Sequence, residues 1–277
     1  YSYDMLGEAA LTEKDAERYQ KAYLDAIAEM SDPDSTENLF NRPNISIKLS
    51  ALYPRYEVTQ GKHAVRALTE RLKPMVECAI KGNVTLCLDA EECDRLMLSL
   101  SVFKALFTWD KTKDWPGLGL AVQAYQKRGY SVVEWLIQLA QVQKKKIMIR
   151  LVKGAYWDSE IKWSQQLNAG DYPVFTRKSH TDLSYLACAQ LIINSSDHCF
   201  GQFATHNAYT VAMIEEMMPE KPIAFEFQCL HGMGVTLYRQ LKQDSPEYSV
   251  RIYAPVGPYK ELLPYLVRRL LENGANT

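Results

Sequence analysis

Eight short apolar runs alternate with eight longer helix-like runs along this chain, and that alternation is the strongest constraint on its fold. The strand-like runs cover 1–8, 45–52, 84–90, 117–125, 147–154, 200–206, 223–230 and 250–257. They are short, apolar and flanked by Gly, Pro or Asn, as buried parallel strands should be. The helix-like runs lie near 12–30, 63–82, 93–109, 131–144, 178–195, 207–218, 234–243 and 259–272. Thr12-Glu13-Lys14-Asp15 and Asp158-Ser159-Glu160 have the composition of helix starts. Eight such units predict a closed (βα)8 barrel of the TIM type, an α/β fold, rather than an open sheet. The run at 1–8 is the least regular, and without it only seven strands remain.

The 277 residues suit one barrel, so a single domain over 1–277 is expected. The chain starts without Met and stops just past a helix-like run, which reads as a fragment of a longer protein. A formal charge of −1 offers nothing global for nucleic acid or an anionic membrane. Apolar stretches are strand-sized and broken by charge, so no transmembrane helix is expected. Tyr1-Ser2-Tyr3-Asp4 lacks the basic and apolar regions of a secretory signal. The six cysteines, Cys78, Cys87, Cys93, Cys188, Cys199 and Cys229, form no CxxC pair. They read as reduced thiols of a cytoplasmic protein.

Barrels of this kind carry their chemistry at the C-terminal strand ends and in the loops that follow. Ionisable or polar residues recur there: Glu8, Lys48, Asp89, Gln123, Arg150 with Lys153, Thr205 with His206, Gln228 with His231, and Tyr253. A charge inside an apolar strand is costly unless paired. Ile45-Ser46-Ile47-Lys48-Leu49 and Ile147-Met148-Ile149-Arg150-Leu151-Val152-Lys153 are therefore informative. Internal salt bridges explain any one of these residues. They explain less well a set gathered at one end.

In the last helical run, Tyr265, Arg268, Arg269 and Glu272 fall on one narrow face, with Leu263, Leu266, Val267, Leu270 and Leu271 opposite. Two guanidinium groups on one face suit a carboxylate, each donating a fork of hydrogen bonds. Spacing alone equally allows a solvated face on which Glu272 neutralises Arg268.

No GxGxxG and no GxxxxGK[ST] occurs, so neither a Rossmann nor a P-loop phosphate site is supported. The five histidines show no HxH or HExxH pattern. A His206/His231 metal pair is conceivable, but no metal is expected. Lys153-Gly154-Ala155-Tyr156-Trp157 could cradle a phosphate between a cation and backbone N–H groups. No side chain here accepts a hydride, so redox chemistry needs a cofactor that composition cannot reveal. Two rivals remain at this level: a Schiff-base aldolase using Lys48 or Lys153, and a carboxylate-binding module without chemistry.

Six long segments, in order, carry a family resemblance: Tyr3-Asp4-Met5-Leu6-Gly7-Glu8-Ala9-Ala10, Ile45 through Leu52, Arg150 through Asp158, Ala204-Thr205-His206-Asn207, Phe225 through Gly234, and Tyr265 through Asn273. They resemble the proline dehydrogenase domain of proline utilisation A proteins from end to end. The resemblance implies a barrel whose last helix lies over the mouth, turning Arg268 and Arg269 towards substrate. It implies FAD as cofactor and L-proline as substrate, with hydride transfer to flavin N5 yielding Δ1-pyrroline-5-carboxylate. On matching residues, Arg150 would sit near N5 and Gln123 at the pyrimidine edge. Val152, Lys153, Gly154, Ala155, Tyr156 and Trp157 would line the dinucleotide, with Thr176, Arg177, Thr205 and His206 further along it. Arg268 and Arg269 would bind the proline carboxylate. Lys48, Asp89, Leu230, Tyr253 and Tyr265 would enclose the ring, and Glu8 and Glu272 would orient the arginines and nearby cofactor groups, Glu272 counting among the cofactor-binding residues. Lys48, Asp89 and Arg150 are the candidate catalytic residues. The resemblance further implies a membrane quinone as electron acceptor, a fused aldehyde dehydrogenase domain, and a cytoplasmic protein peripheral at the inner membrane when reduced. It implies no nucleic-acid partner for these 277 residues.

Overall fold

The computed structural model describes residues 1–259, 262–263 and 265–269. Its strands are β1 (Ser2–Met5), β2 (Asn44–Ile47), β3 (Thr85–Leu88), β4 (Leu118–Gln123), β5 (Ile147–Val152), β6 (Cys199–Ala204), β7 (Phe225–Leu230) and β8 (Ser249–Val256). They close in sequence order as a barrel, and the expected (βα)8 architecture is what the chain adopts. Helices α1 (Glu13–Glu29), α2 (Gly61–Gly82), α3 (Leu96–Phe107), α4 (Gly129–Gln143), α5 (Trp157–Gln166), α6 (Lys178–Asn194), α7 (Ala208–Met217) and α8 (Val235–Asp244) lie between them, one per connection except that α5 and α6 both join β5 to β6.

Two compact units divide the chain. One comprises Tyr1–Leu120 with Ala254–Leu262, the other Ala121–Tyr253 with Leu263–Thr277. In the first, β1, β2 and β3 pair in parallel, with Asp4 beside Ser46 and Ile47 beside Leu88. β2 and β3 are buried throughout, and their polar residues are paired there: the Asn44 amide donates to the Thr85 hydroxyl at 2.9 Å. Thr12 caps α1 reciprocally: its hydroxyl accepts the Asp15 N–H at 3.1 Å, and the Asp15 carboxylate accepts the Thr12 N–H at 3.0 Å. α1 packs on α2 and α2 on α3, burying Tyr23, Ile27, Leu68, Leu72, Met75 and Phe103. In the second unit, β5 through β8 pair in parallel register, with Arg150 beside Gln202 and Gln202 beside Glu226.

Strand C-termini are shorter than the apolar runs. β2 stops at Ile47 and the chain winds into a 3-10 turn at Leu49–Ala51. β5 stops at Val152 and β6 at Ala204. Beyond these points the backbone bonds to loops instead: the Ser50 carbonyl accepts the Ala10 N–H, and the Tyr125 carbonyl accepts the Phe175 N–H. Glu8 is a related correction. β1 ends at Met5, and Gly7 (φ 125°) with Ala9 (φ 52°) leave extended geometry, so Glu8 stands in the loop and not on the strand.

α5 was foreshadowed only by its start. It carries no apolar stripe, because its buried residues are Glu160 and Ser164, tied by a hydrogen bond from the Ser164 hydroxyl to the Glu160 carbonyl at 2.7 Å. Trp163 lies on the surface of that helix, 43% exposed.

Candidate active site

A cluster of charge occupies the strand ends of the first unit. Lys48 is the residue after β2 and Asp89 the residue after β3. The buried Lys48 ammonium donates to Asp4 of β1 and, at 3.3 Å, to Asp89 Oδ2. Its backbone N–H donates to the Tyr23 hydroxyl at 3.2 Å. Tyr23 is enclosed by α1, and burial pushes its hydroxyl well up from the ordinary phenol value. Lys48 is thus fixed from both ends. Asp4, a further charge within a short buried strand and absent from the residues expected here, completes the pair with Lys48.

Glu91 backs this cluster. Its Oε1 accepts the Ser50 N–H at 3.0 Å and its Oε2 lies 3.4 Å from Arg95. Burial, the largest influence, raises its carboxyl to about 7 against the opposing hydrogen bonds from Ser50. Ser50 in turn accepts the Ala9 N–H on its hydroxyl at 3.1 Å. The loop bearing Glu8 is therefore pinned to the loop bearing Lys48.

In the second unit, β4 ends on buried Gln123, whose Oε1 accepts the Ala155 N–H at 3.4 Å. Arg150 is buried within β5, its guanidinium 5.0 Å from the Tyr253 ring centroid, a cation–π distance. Lys153 follows β5 and pairs with Asp182 Oδ1 at 2.6 Å, while Lys178 reaches the other oxygen at 3.0 Å. Burial works to raise Asp182, but the hydrogen bonds from the two lysines win and hold its carboxyl below the usual range. Gly154 has φ 137°, and a Cβ there would lie 2.4 Å from the Tyr125 ring. Only glycine lets the chain turn this closely. Tyr156 and Trp157 enter α5, and the Trp157 indole N–H donates to the Phe175 carbonyl at 2.9 Å. Thr176 and Arg177 are exposed before α6. Thr205 is buried and its hydroxyl accepts the Asn207 N–H at 3.1 Å; His206 Nε2 accepts the N–H of Leu230, the last residue of β7, at 3.0 Å.

Residues 265–269 are helical, and the polar face is the enclosed one. Tyr265 is 4% exposed and Arg268 and Arg269 are half-buried, whereas Leu263, Leu266 and Val267 lie 43–68% exposed. The Arg268 guanidinium stands 6.0 Å from the Tyr156 ring centroid, and Arg269 stands 5.3 Å from that of Tyr265. Both arginines are less exposed than the apolar residues on the other side of the helix. Glu272 lies outside the described residues.

The second unit also holds a network that sequence reasoning overlooked. The single Arg251 Nε–H forks between Glu226 Oε1 and Oε2, at 2.7 and 2.8 Å. Gln202 and Gln228 each donate to its Oε1 at 2.7 Å. The two glutamine Oε1 atoms are buried without a hydrogen-bond partner among the described residues, at a cost of about 1–3 kcal/mol each. Glu226 and Arg251 were readable as charges in strand runs, but Gln202 lay in the middle of one and offered no signal.

Among the described residues, no group of three or more His, Cys, Asp or Glu is placed to hold a metal ion. The six cysteines are free thiols. No helix among the described residues is long and apolar enough to cross a membrane. The described residues form a (βα)8 barrel with buried cations at strand ends and a short helical stretch whose arginine-bearing side is partly enclosed, the class of fold whose strand ends commonly carry chemistry.

Comparison with known proteins gives that class a family. The family model for proline dehydrogenase matches residues 1–277, and the chain belongs to that family. The Bifunctional protein PutA of Salmonella typhimurium is 48% identical over 283 residues, covering 100% of this chain and 21% of that protein. Its Rhizobium meliloti counterpart is 48% identical over 284 residues, covering 100% and 22%. A crystal structure of a Bradyrhizobium japonicum Proline Utilization A mutant superposes with a TM-score of 0.95 at 50% identity, covering 100% of this chain and 28% of that one. The Bdellovibrio bacteriovorus protein inactivated by N-propargylglycine gives 0.90 at 32% identity, covering 99% and 30%. The chain thus spans 21–22% of the length of these curated relatives.

Proposed function

We propose that this chain oxidises L-proline to Δ1-pyrroline-5-carboxylate with bound FAD, as the first step of proline breakdown to glutamate. The observation that carries the reading is the inverted burial of the last helix. The half-buried Arg268 and Arg269 lie on the side of the helix that holds buried Tyr265, while Leu263, Leu266 and Val267 are exposed, and two guanidinium groups on one inward side suit an anion. A proline carboxylate is such an anion, and two forked donors would hold it in a set orientation.

The residues present fit FAD. Arg150 and Gln123 place hydrogen-bonding groups on adjacent strand ends for the polar edge of a flavin. Lys153 and the close turn at Gly154, with a φ no Cβ tolerates, suit a pyrophosphate. Val152, Ala155, Tyr156, Trp157, Thr176, Arg177, Thr205 and His206 are assigned to the rest of the dinucleotide. When bound there, FAD would supply the two-electron acceptor for oxidation of the ring carbon beside the proline nitrogen.

The chain's own residues do the remainder. Arg268 and Arg269 anchor the carboxylate, and Tyr253, Tyr265, Leu230, Lys48 and Asp89 are assigned to the ring. Arg150 supplies positive charge where negative charge develops. Proline must lose an amine proton before hydride departure is easy. Asp89 is the better candidate to take it, since Lys48 already donates to two carboxylates. Glu8 is assigned to orienting the arginines. Pairing of Lys48 with Asp4 and of Lys153 with Asp182 counts against a Schiff-base aldolase, which needs an unprotonated amine. A membrane quinone as final acceptor, a fused aldehyde dehydrogenase domain, and a cytoplasmic location at the inner membrane in the reduced state complete the reading.

The test is an absorbance spectrum of the purified protein before and after L-proline. Flavin bands that bleach on addition support the proposal, and bands that persist refute it. Trapping of a carbonyl substrate by borohydride would instead favour the aldolase.

A further inference from the structure

The buried Glu226 network has no part in the chemistry above, yet it lies beside the residues that do. The strand register sets Arg150 next to Gln202 and Gln202 next to Glu226. Gln228 is paired with Arg251, and Leu230 with Tyr253. Arg251 and Tyr253 are two apart on β8, so their side chains leave the same face of that strand. Arg251 is locked by the Glu226 fork, and the Tyr253 ring lies against the Arg150 guanidinium at 5.0 Å. One carboxylate therefore gathers side chains from β6, β7 and β8, immediately below the aromatic ring that supports Arg150.

We propose that Glu226 is a positioning residue: with Arg251 it sets the seating of β8, hence the pose of Tyr253 and of the Arg150 guanidinium that rests on it. This rests on the proline dehydrogenase reading for what Arg150 does. An apolar filling of the same volume would pack as well, and often more favourably than a buried ion pair. It would not fix direction, because apolar contact is not directional. Three donors converging on one carboxylate are directional, and a buried network of this kind moves as a unit.

The test uses the FAD-loaded chain and the double variant Glu226→Gln/Arg251→Gln, which keeps net charge and approximate volume while removing the fork. The rate of flavin reduction at saturating L-proline should fall roughly ten- to a hundredfold, the scale of a small displacement of a reacting-centre group. The proline dissociation constant should stay within about twofold, because Arg268 and Arg269 are untouched. The flavin midpoint potential should move to more negative values as the cation withdraws. A purely structural network would lower thermal stability without this split. A folded double variant with wild-type rate and potential overturns the proposal. Should it fail to fold, Gln228→Leu removes one bond to Glu226 without touching charge. That variant should show the same split in smaller measure, and wild-type values for it likewise overturn the proposal. A wild-type flavin that proline does not bleach is a failure of the functional reading instead.

Discussion

Replacing Lys48 with methionine keeps the length of the side chain and removes its charge. What it leaves behind decides the cost. Asp4 is 1% exposed, and its partner is the Lys48 ammonium; the variant strands a carboxylate inside the barrel. Breaking a buried pair from one side costs about 3–5 kcal/mol. Asp89 lies further from Lys48, at 3.3 Å, and its side chain is 13% exposed, so its share is small. With 277 residues, the unfolding entropy is roughly 0.6 kcal/mol per kelvin, so each kcal/mol moves the midpoint by about 2 °C. Thermal unfolding at pH 7 should therefore show Lys48→Met lowered by about 6–10 °C and Asp89→Asn by no more than about 2 °C. Adding Asp4→Asn to Lys48→Met removes the stranded charge and should recover at least half of the loss. A Lys48→Met midpoint within 1–2 °C of wild type, on the same scale, or a double variant no better than the single, would show that the Asp4 pairing does not hold this end of the barrel together.

Glu91 makes stability depend on pH. Its carboxyl is raised to about 7 in the fold, so the folded chain holds a proton that the unfolded chain, titrating near 4.5, has released. This contribution is present below the unfolded value and is lost as pH rises through about 7, to the extent of roughly 3 kcal/mol. Glu91→Gln should flatten that fall in a pH series of denaturant midpoints, and an unchanged slope contradicts the assignment. Arg268→Met and Arg269→Met should each weaken proline binding by about 2–3 kcal/mol, read by titrating flavin absorbance; near-normal affinity in both removes the carboxylate role. Gly154→Ala forces a Cβ to 2.4 Å from the Tyr125 ring at φ 137°, so flavin content and thermal midpoint should drop together, the latter by about 4–8 °C; a normal flavin content speaks against a tight turn there. Burial raises Cys188 and Cys229 to about 11 and Cys199 to about 12, so a thiol reagent at pH 8 should react first with the half-buried Cys78; early labelling of Cys199 argues that the start of β6 opens.

Much of the fold was written in one dimension. Strand order, parallel pairing and the placement of Lys48, Asp89, Gln123 and Arg150 at strand ends follow from apolar runs of strand length separated by helical periodicity, because burial and backbone geometry act locally on such patterns. Where the buried face is polar, that signal vanishes, and α5 with its inward Glu160 and Ser164 shows why. The run at 1–8 carries no mark of its own end: β1 stops at Met5, and the positive φ of Gly7 and Ala9 takes Glu8 out of the strand.

Partnership was the part no local pattern could supply. Asp4 with Lys48, Asp182 with Lys153, and Glu226 with Arg251 are 44, 29 and 25 residues apart, and only closure of the chain brings each pair within reach. The same holds for the last helix, whose two faces were evident from spacing alone. Which face is enclosed was settled by what it packs against, with Tyr156 receiving Arg268, because a helix surface has no inside until tertiary structure provides one.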